Sequence, residues 1–209
     1  MHIYAFGSVC RGDISPKSDI DLLAITDGHD SRFDPDIYSI YSYKRIKELW
    51  QEGNPFAWHL ALESKLLYSS DQNDYLKTLG NPASYRNCVR DCEKFYALFC
   101  EARASLAANF TGRVFDLSTI FLSIRNIATC FSLGVTTNPD FSRNSATRLE
   151  TLSINISSGA YQVLERARIL CTRGHGNDIT KSEVDIAILE FDEIDEWMDI
   201  LMKGAKAHE

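Results

Sequence analysis

Proline is scarce in this chain, with 5 in 209 residues, and methionine scarcer, with 3. Each proline removes a backbone N–H and blocks the preceding helical turn, so long uninterrupted helices are open to this sequence. The six cysteines, at positions 10, 88, 92, 100, 130 and 171, include no Cys-x-x-Cys pair and no histidine at zinc spacing. That excludes a zinc ribbon or finger, and the cysteines read as reduced thiols. Positive charge is in deficit: 22 Lys and Arg against 29 Asp and Glu leave a formal net charge of −7. Phosphate backbones are held by Lys and Arg, so an unspecific nucleic-acid binder is not expected. No uninterrupted apolar run reaches the roughly 18 residues of a membrane span. No basic stretch followed by an apolar one opens the chain as a secretory signal would. The expected compartment is therefore the cytoplasm, with no membrane partner. Low-complexity tracts are also missing, and a hydrophobic fraction of 44% is ample for a packed core.

What the sequence does have is concentrated near its start. Ile3 to Phe6 is an apolar run of strand length, and Gly7-Ser8 breaks it. A polar, turn-rich segment follows, and the chain re-enters an apolar run at Asp19-Ile20-Asp21-Leu22-Leu23-Ala24-Ile25. Alternate side chains of a strand share a face, so Asp19 and Asp21 are expected to project together while Ile20 and Leu22 point into a core. Paired carboxylates repel and resist desolvation unless a cation lies between them. Hard oxygen donors suit Mg²⁺ or Mn²⁺. The Gly-Ser turn lets phosphate oxygens approach backbone N–H groups, and Ser8 adds a hydroxyl. An Asp-x-Asp alone is most often a solvated strand end, but here two strands bracket it and a Gly-Ser turn precedes it. The combination points to a site for a metal and a triphosphate.

Gly7-Ser8, ten residues, then Asp19-Ile20-Asp21 resembles the signature of the nucleotidyltransferase fold of the DNA polymerase beta superfamily. Its small prokaryotic branch, the minimal and aminoglycoside nucleotidyltransferases, is the nearest in pattern. The resemblance is strong over residues 3–26 and looser to about residue 70. It implies a nucleoside triphosphate substrate, ATP being the expected one, with its phosphates on Gly7 and Ser8. It also implies Mg²⁺ (or Mn²⁺) on Asp19 and Asp21, and transfer of a nucleoside monophosphate to an acceptor hydroxyl with pyrophosphate release. Ser18 belongs to the same pattern. Arg11 and Lys17 decorate the turn and can reach phosphate oxygens, one as a fork and the other as a point charge; ordinary surface charge is the alternative. Such enzymes place a third metal-binding carboxylate on a third strand. Here Ile37 to Ser42 offers Ser and Tyr, and Asp36 at its leading edge and Asp34 just before it are the near candidates. His59 and Glu63 stand i, i+4 on a predicted helix and share a face. They resemble a His-Leu-x-x-Glu segment of some relatives and read either as an acid–base or metal-binding pair or as a packed histidine with a helix-terminal ion pair.

The expected fold class is α+β: a small mixed-sheet nucleotidyltransferase domain over residues 1–80, then an antiparallel helical bundle over 81–209. Periodicity predicts helices over 43–52, stopped by Gly53, and over 56–63, with a strand at 65–68. A polar stretch over 71–84 breaks the pattern. Helical spacing then runs over 84–109, 113–133, 146–153 and 159–171, and a final acidic amphipathic helix covers 182–203. Arg125 and Arg143 interrupt apolar surfaces and read as structural pairs or phosphate contacts. The expected acceptor is a protein side chain or a small molecule, with RNA disfavoured by the acidic balance. The vacant carboxylate position on the third strand keeps a second reading open. That reading is a catalytically impaired nucleotide-binding or antitoxin-like module acting through a protein partner, as a homo-oligomer or in a toxin–antitoxin-type pair.

Overall fold

A computed structural model of the chain describes residues 1–13, 20–108 and 112–208. The chain divides into two compact units, Met1–Arg86 and Asn87–Glu209. The fold is α+β, with a small four-stranded mixed sheet followed by a helical region.

In the first unit the strands are β1 (His2–Phe6), β2 (Asp21–Thr26), β3 (Tyr38–Ser42) and β4 (Ser64–Ser69), in the order β3-β2-β1-β4. β1 pairs antiparallel with both β2 and β4, whereas β3 runs parallel to β2. A parallel neighbour cannot be reached by a tight hairpin. The connection is the polar loop 27–37, whose Phe33 is buried and packs edge-on against Tyr38 at 5.1 Å.

Tyr4, Phe6, Leu23 and Ile25 form one core with Ile46, Leu49 and Trp50 of α2 (Tyr43–Glu52) and Ala57 and Leu60 of α3 (Pro55–Glu63). Asp21 is two residues ahead of Leu23 and so shares this helix-covered face. That reverses the expectation for Ile20 and Leu22. Ile20 is 62% exposed and Leu22 is half-buried. The alternation is as read, but both helices pack on the aspartate's own side of the sheet, so the core continues outward into the site. Ser42 caps α2 by accepting the Arg45 N–H at 3.1 Å, and Asn54 caps α3 by accepting that of Phe56 at 2.9 Å.

The stretch expected to be irregular contains one helical turn, α4 (Tyr75–Thr78). The buried Tyr4 hydroxyl anchors it, donating to Asp74 Oδ1 and accepting the Leu76 N–H, each at 3.0 Å. The chain beyond α4 stays with this unit as far as Arg86. The indoles of Trp50 and Trp58 hold the Gly80 and Ala83 carbonyls there, at 2.9 and 3.0 Å. His2 is also buried, with Nδ1 2.7 Å from the Tyr43 hydroxyl and Nε2 3.1 Å from Asp71 Oδ1.

The second unit contains α5 (Cys88–Ala108), α6 (Arg113–Val135), α7 (Ser158–Arg173), α8 (Lys181–Ile188) and α9 (Phe191–His208). α6 is its centre: α5, α7 and α9 pack on it and bury Leu117, Ile120, Ile124 and Ile127 completely. By length and composition α6 could cross a membrane, with a mean hydropathy of 1.3 over its most apolar window. Yet 61% of that window is buried in the protein, and the helix carries a buried Asp116 that accepts from the Ser105 hydroxyl at 3.2 Å. Its apolarity is accounted for by the core it builds. Arg125 donates to the Phe141 and Ser142 carbonyls at 3.0 and 3.3 Å, and Arg143 faces Glu165 at 3.4 Å, so both arginines have structural partners.

Two helical expectations are corrected. The segment 146–153 forms two 3₁₀ turns, Ser145–Thr147 and Glu150–Leu152, instead of a helix. The final helix is broken at Leu189-Glu190, because α8 packs on α7 while α9 packs on α5 and α6. No glycine or proline marks this break. The Leu189 and Glu190 N–H groups turn back onto the Asp185 and Ala187 carbonyls, at 3.3 and 3.2 Å. None of the six cysteines is in a disulfide.

Two stability measurements check this packing. Leu60 is fully buried and Leu62 is 55% exposed. Leu60→Ala is expected to cost about 2–5 kcal/mol in urea unfolding, and Leu62→Ala less than about 0.5 kcal/mol. The second measurement concerns acid. The Ser69 hydroxyl, the Asn73 N–H and then His2 hold the Asp71 carboxyl down at about 2. Since a depressed carboxyl pKa stabilises the fold above its unfolded value of about 3.9, this contribution is lost as pH falls from about 4 towards 2. Ser69→Ala should flatten that part of the thermal-stability profile.

Candidate active site

The site starts where β1 ends. Gly7 adopts φ 74 and ψ −138, a conformation that side chains disfavour. Its N–H donates to the Glu63 carbonyl at 3.1 Å, just ahead of the Phe6–Ser64 pair of β1 and β4. Its carbonyl accepts the N–H groups of Cys10 and Arg11 at 3.0 and 3.2 Å, closing the single turn α1 (Ser8–Arg11). On the other side, the β1–β2 register sets Asp21 opposite Phe6. A Cβ on Gly7 would lie 2.7 Å from Asp21 Oδ2 and 3.8 Å from His59 Nε2. The missing side chain therefore leaves a notch with a carboxylate and an imidazole on its walls.

The third wall comes from α3. His59 and Glu63, one helical turn apart, meet with Nε2 2.9 Å from Oε2. The same Glu63 oxygen pairs with Arg11 Nη1, and Arg11 Nε donates to Asp13 Oδ2 at 3.1 Å. The His59 ring stands edge-on to Phe6 at 5.6 Å, which ties the cluster to the core. Burial works against the charge of Arg11, but the Glu63 and Asp13 carboxylates outweigh it and raise its pKa. Burial pushes the Cys10 thiol up as well, and its Sγ donates to the Ala5 carbonyl at 3.3 Å, so it is a packing group rather than a nucleophile.

Of the residues singled out by sequence, Gly7, Asp21, His59 and Glu63 converge on this notch, and Ser8 and Arg11 lie on the turn beside it. Asp36 does not join them. It is exposed in the turn before β3, where its N–H is held by Asp34 Oδ1 at 2.9 Å. On β3 the residues level with Leu23 and Ile25 are Ser39 and Tyr41, so the strand brings no carboxylate to the face of Asp21. Lys17, Ser18 and Asp19 lie outside the described residues. Among the described residues no group of three or more His, Cys, Asp or Glu side chains could hold a metal ion. What they offer on the face of Gly7 is a hard oxygen donor, the exposed Asp21 carboxylate, beside backbone that carries no side chain. That fits Mg²⁺ or Mn²⁺ in donor type. The role of Asp13 was not legible in sequence, because a carboxylate two residues from an arginine in a turn gives no periodic signal.

The glycine and aspartate can be tested as a pair. Gly7→Ala combines a positive φ with the close Asp21 contact and is expected to cost about 1–3 kcal/mol. Gly12 has φ 81 but nothing within 4 Å of its Cβ position, so Gly12→Ala should cost less. Adding Asp21→Ala to Gly7→Ala should recover part of the loss, as read by urea unfolding.

Residues 2–77, spanning all four strands together with α2 and α3, match the family model described as Nucleotidyltransferase domain. No curated protein matches the sequence. The glycine-serine turn, the aspartate opposite it and the mixed sheet behind them agree with this match. Residues 2–77 are thus similar to a nucleotidyltransferase domain, and their mixed sheet is consistent with a fold of the polymerase beta type, a class that in general uses nucleoside triphosphates with divalent metal and transfers nucleoside monophosphates.

Proposed function

We propose that the chain transfers a nucleoside monophosphate from a nucleoside triphosphate, ATP first among them, to a hydroxyl on a protein or small molecule. The observation that carries this is the apposition of Asp21 Oδ2 to the side-chain-free face of Gly7. It sets a metal-binding oxygen beside a backbone that a phosphate can approach closely. In this reading the triphosphate lies on Gly7 and Ser8, with Arg11, Lys17 and Ser18 supplying charge and hydroxyl contacts around the turn. Asp21, together with Asp19, would hold Mg²⁺ or Mn²⁺. A bound divalent ion supplies charge stabilisation on the attacking and leaving oxygens of phosphoryl transfer. The acceptor oxygen forms a bond to the α-phosphorus and releases its proton to solvent. The bond from that phosphorus to the bridging oxygen breaks, and pyrophosphate departs with the electron pair. The Gly-Ser turn and Arg11 hold the departing phosphates, so this part of the chain acts by positioning and electrostatics.

One observation favours a second reading. β3 carries Ser39 and Tyr41 where a third carboxylate would share the face of Asp21. A module that binds nucleotide and transfers it poorly, acting through a protein partner, fits that vacancy.

Incubation with α-³²P-labelled triphosphates, Mg²⁺ or Mn²⁺ and candidate acceptors separates the two. The expected result is metal-dependent label on an acceptor, falling at least about 100-fold in Asp21→Ala. Metal-dependent nucleotide binding with no transfer to protein, small-molecule or lysate acceptors would instead establish the binding module.

A further inference from the structure

Glu63 touches three separate parts of the proposed triphosphate site. Its carbonyl accepts the Gly7 N–H at 3.1 Å, and its Oε2 both pairs with Arg11 Nη1 and lies 2.9 Å from His59 Nε2. The side chain is only 13% exposed. A carboxylate so withdrawn from water needs close partners, and one 2.9 Å from the imidazole that walls the notch would repel a triphosphate if left uncompensated. Arg11 supplies the compensation and is fixed by doing so. Glu63 takes Nη1 and Asp13 takes Nε, so two of the three nitrogens of the planar fork are tied down. Among the described residues Nη2 has no hydrogen-bond partner. A guanidinium held at two corners presents the third in a set direction, whereas a loose arginine must lose rotamer freedom before it can grip an anion.

We propose that Glu63 is a positioning residue of the triphosphate site, fixing the Arg11 guanidinium so that its remaining edge engages phosphate oxygens. Nucleotide affinity then depends on the Arg11–Glu63 pair as a unit and not on Arg11 alone. The proposal rests on the reading of the Gly7-Ser8 turn as the triphosphate cradle. The competing account is a strut: an ion pair that ties α1 to α3 and contributes to stability only.

Binding by the full-length chain to Mg²⁺-ATP, inorganic tripolyphosphate with Mg²⁺, and AMP separates these accounts. Titration calorimetry provides the affinities, and circular dichroism confirms that each variant is folded. Arg11→Ala is expected to weaken ATP and tripolyphosphate binding about 10-fold or more, as for loss of a charge-assisted contact. Glu63→Ala should weaken both by a similar factor. The double variant Arg11→Ala/Glu63→Ala should be no weaker than Arg11→Ala by more than about 2-fold, because Glu63 acts through Arg11. AMP, which lacks the outer phosphates, should bind all variants alike. Glu63→Gln keeps an acceptor for Nη1 and should restore most of the affinity. If Glu63→Ala does not fold, Glu63→Asp replaces it: the charge is kept but drawn back by one methylene, and binding is expected to weaken several-fold. The proposal is overturned if the folded Glu63 variant binds tripolyphosphate as tightly as the unmodified chain, or if the two losses multiply in the double variant. If the unmodified chain binds neither ATP nor tripolyphosphate, the cradle reading itself fails, and that is visible before any variant is compared.

Discussion

A carboxylate oxygen 2.7 Å from where a glycine's side chain would begin is the constraint from which the rest of this site follows. It arises from strand register. β1 and β2 pair antiparallel with Phe6 opposite Asp21, so the residue after Phe6 turns away from the sheet directly in front of that carboxylate. Only glycine combines the required positive φ with the absence of a Cβ. β4 and α3 then close the other side, because the Glu63 carbonyl takes the Gly7 N–H. Two strands and a helix end meet at one backbone position, and the chemistry of the site is the chemistry of what surrounds it.

Much of this could be read from sequence where physics is local. The apolar runs flanking Gly7-Ser8 and Asp19-Ile20-Asp21 marked two strands, and the Gly53 stop and the i, i+4 spacing of Ile46 and Trp50 gave α2 its bounds. What was not legible depended on tertiary choice. Alternation along β2 sorts Asp21 from Ile20, but which side the helices cover is decided by α2 and α3, and they cover the side of Asp21. The spacing of His59 and Glu63 offered a shared face, but it could not say that Arg11 would complete it or that Asp13 would take the other edge of the guanidinium. Likewise the break at Leu189-Glu190 has no glycine or proline to announce it. It follows from α8 and α9 packing on different neighbours.

The helical unit shows the same distinction between composition and context. α6 is apolar enough to pass for a membrane span, yet its surface is taken up by α5, α7 and α9. Its polar positions are satisfied inside the unit: Asp116 by Ser105, and Arg125 by two loop carbonyls. An arginine in an apolar helix face invites a functional reading, but a half-buried guanidinium that caps carbonyl oxygens is a common structural answer to the same pattern.

One short helix carries two responsibilities. α3 buries Ala57 and Leu60 in the core and, on an adjoining face, holds His59 and Glu63 at the notch. Over nine residues there is no spacer between the packing surface and the working surface. Evolutionary or engineered repacking of this core would therefore also move the groups that line the notch. A change in the hydrophobic interior is thereby passed to the polar groups one residue away, so that thermal robustness and the geometry of the notch change together.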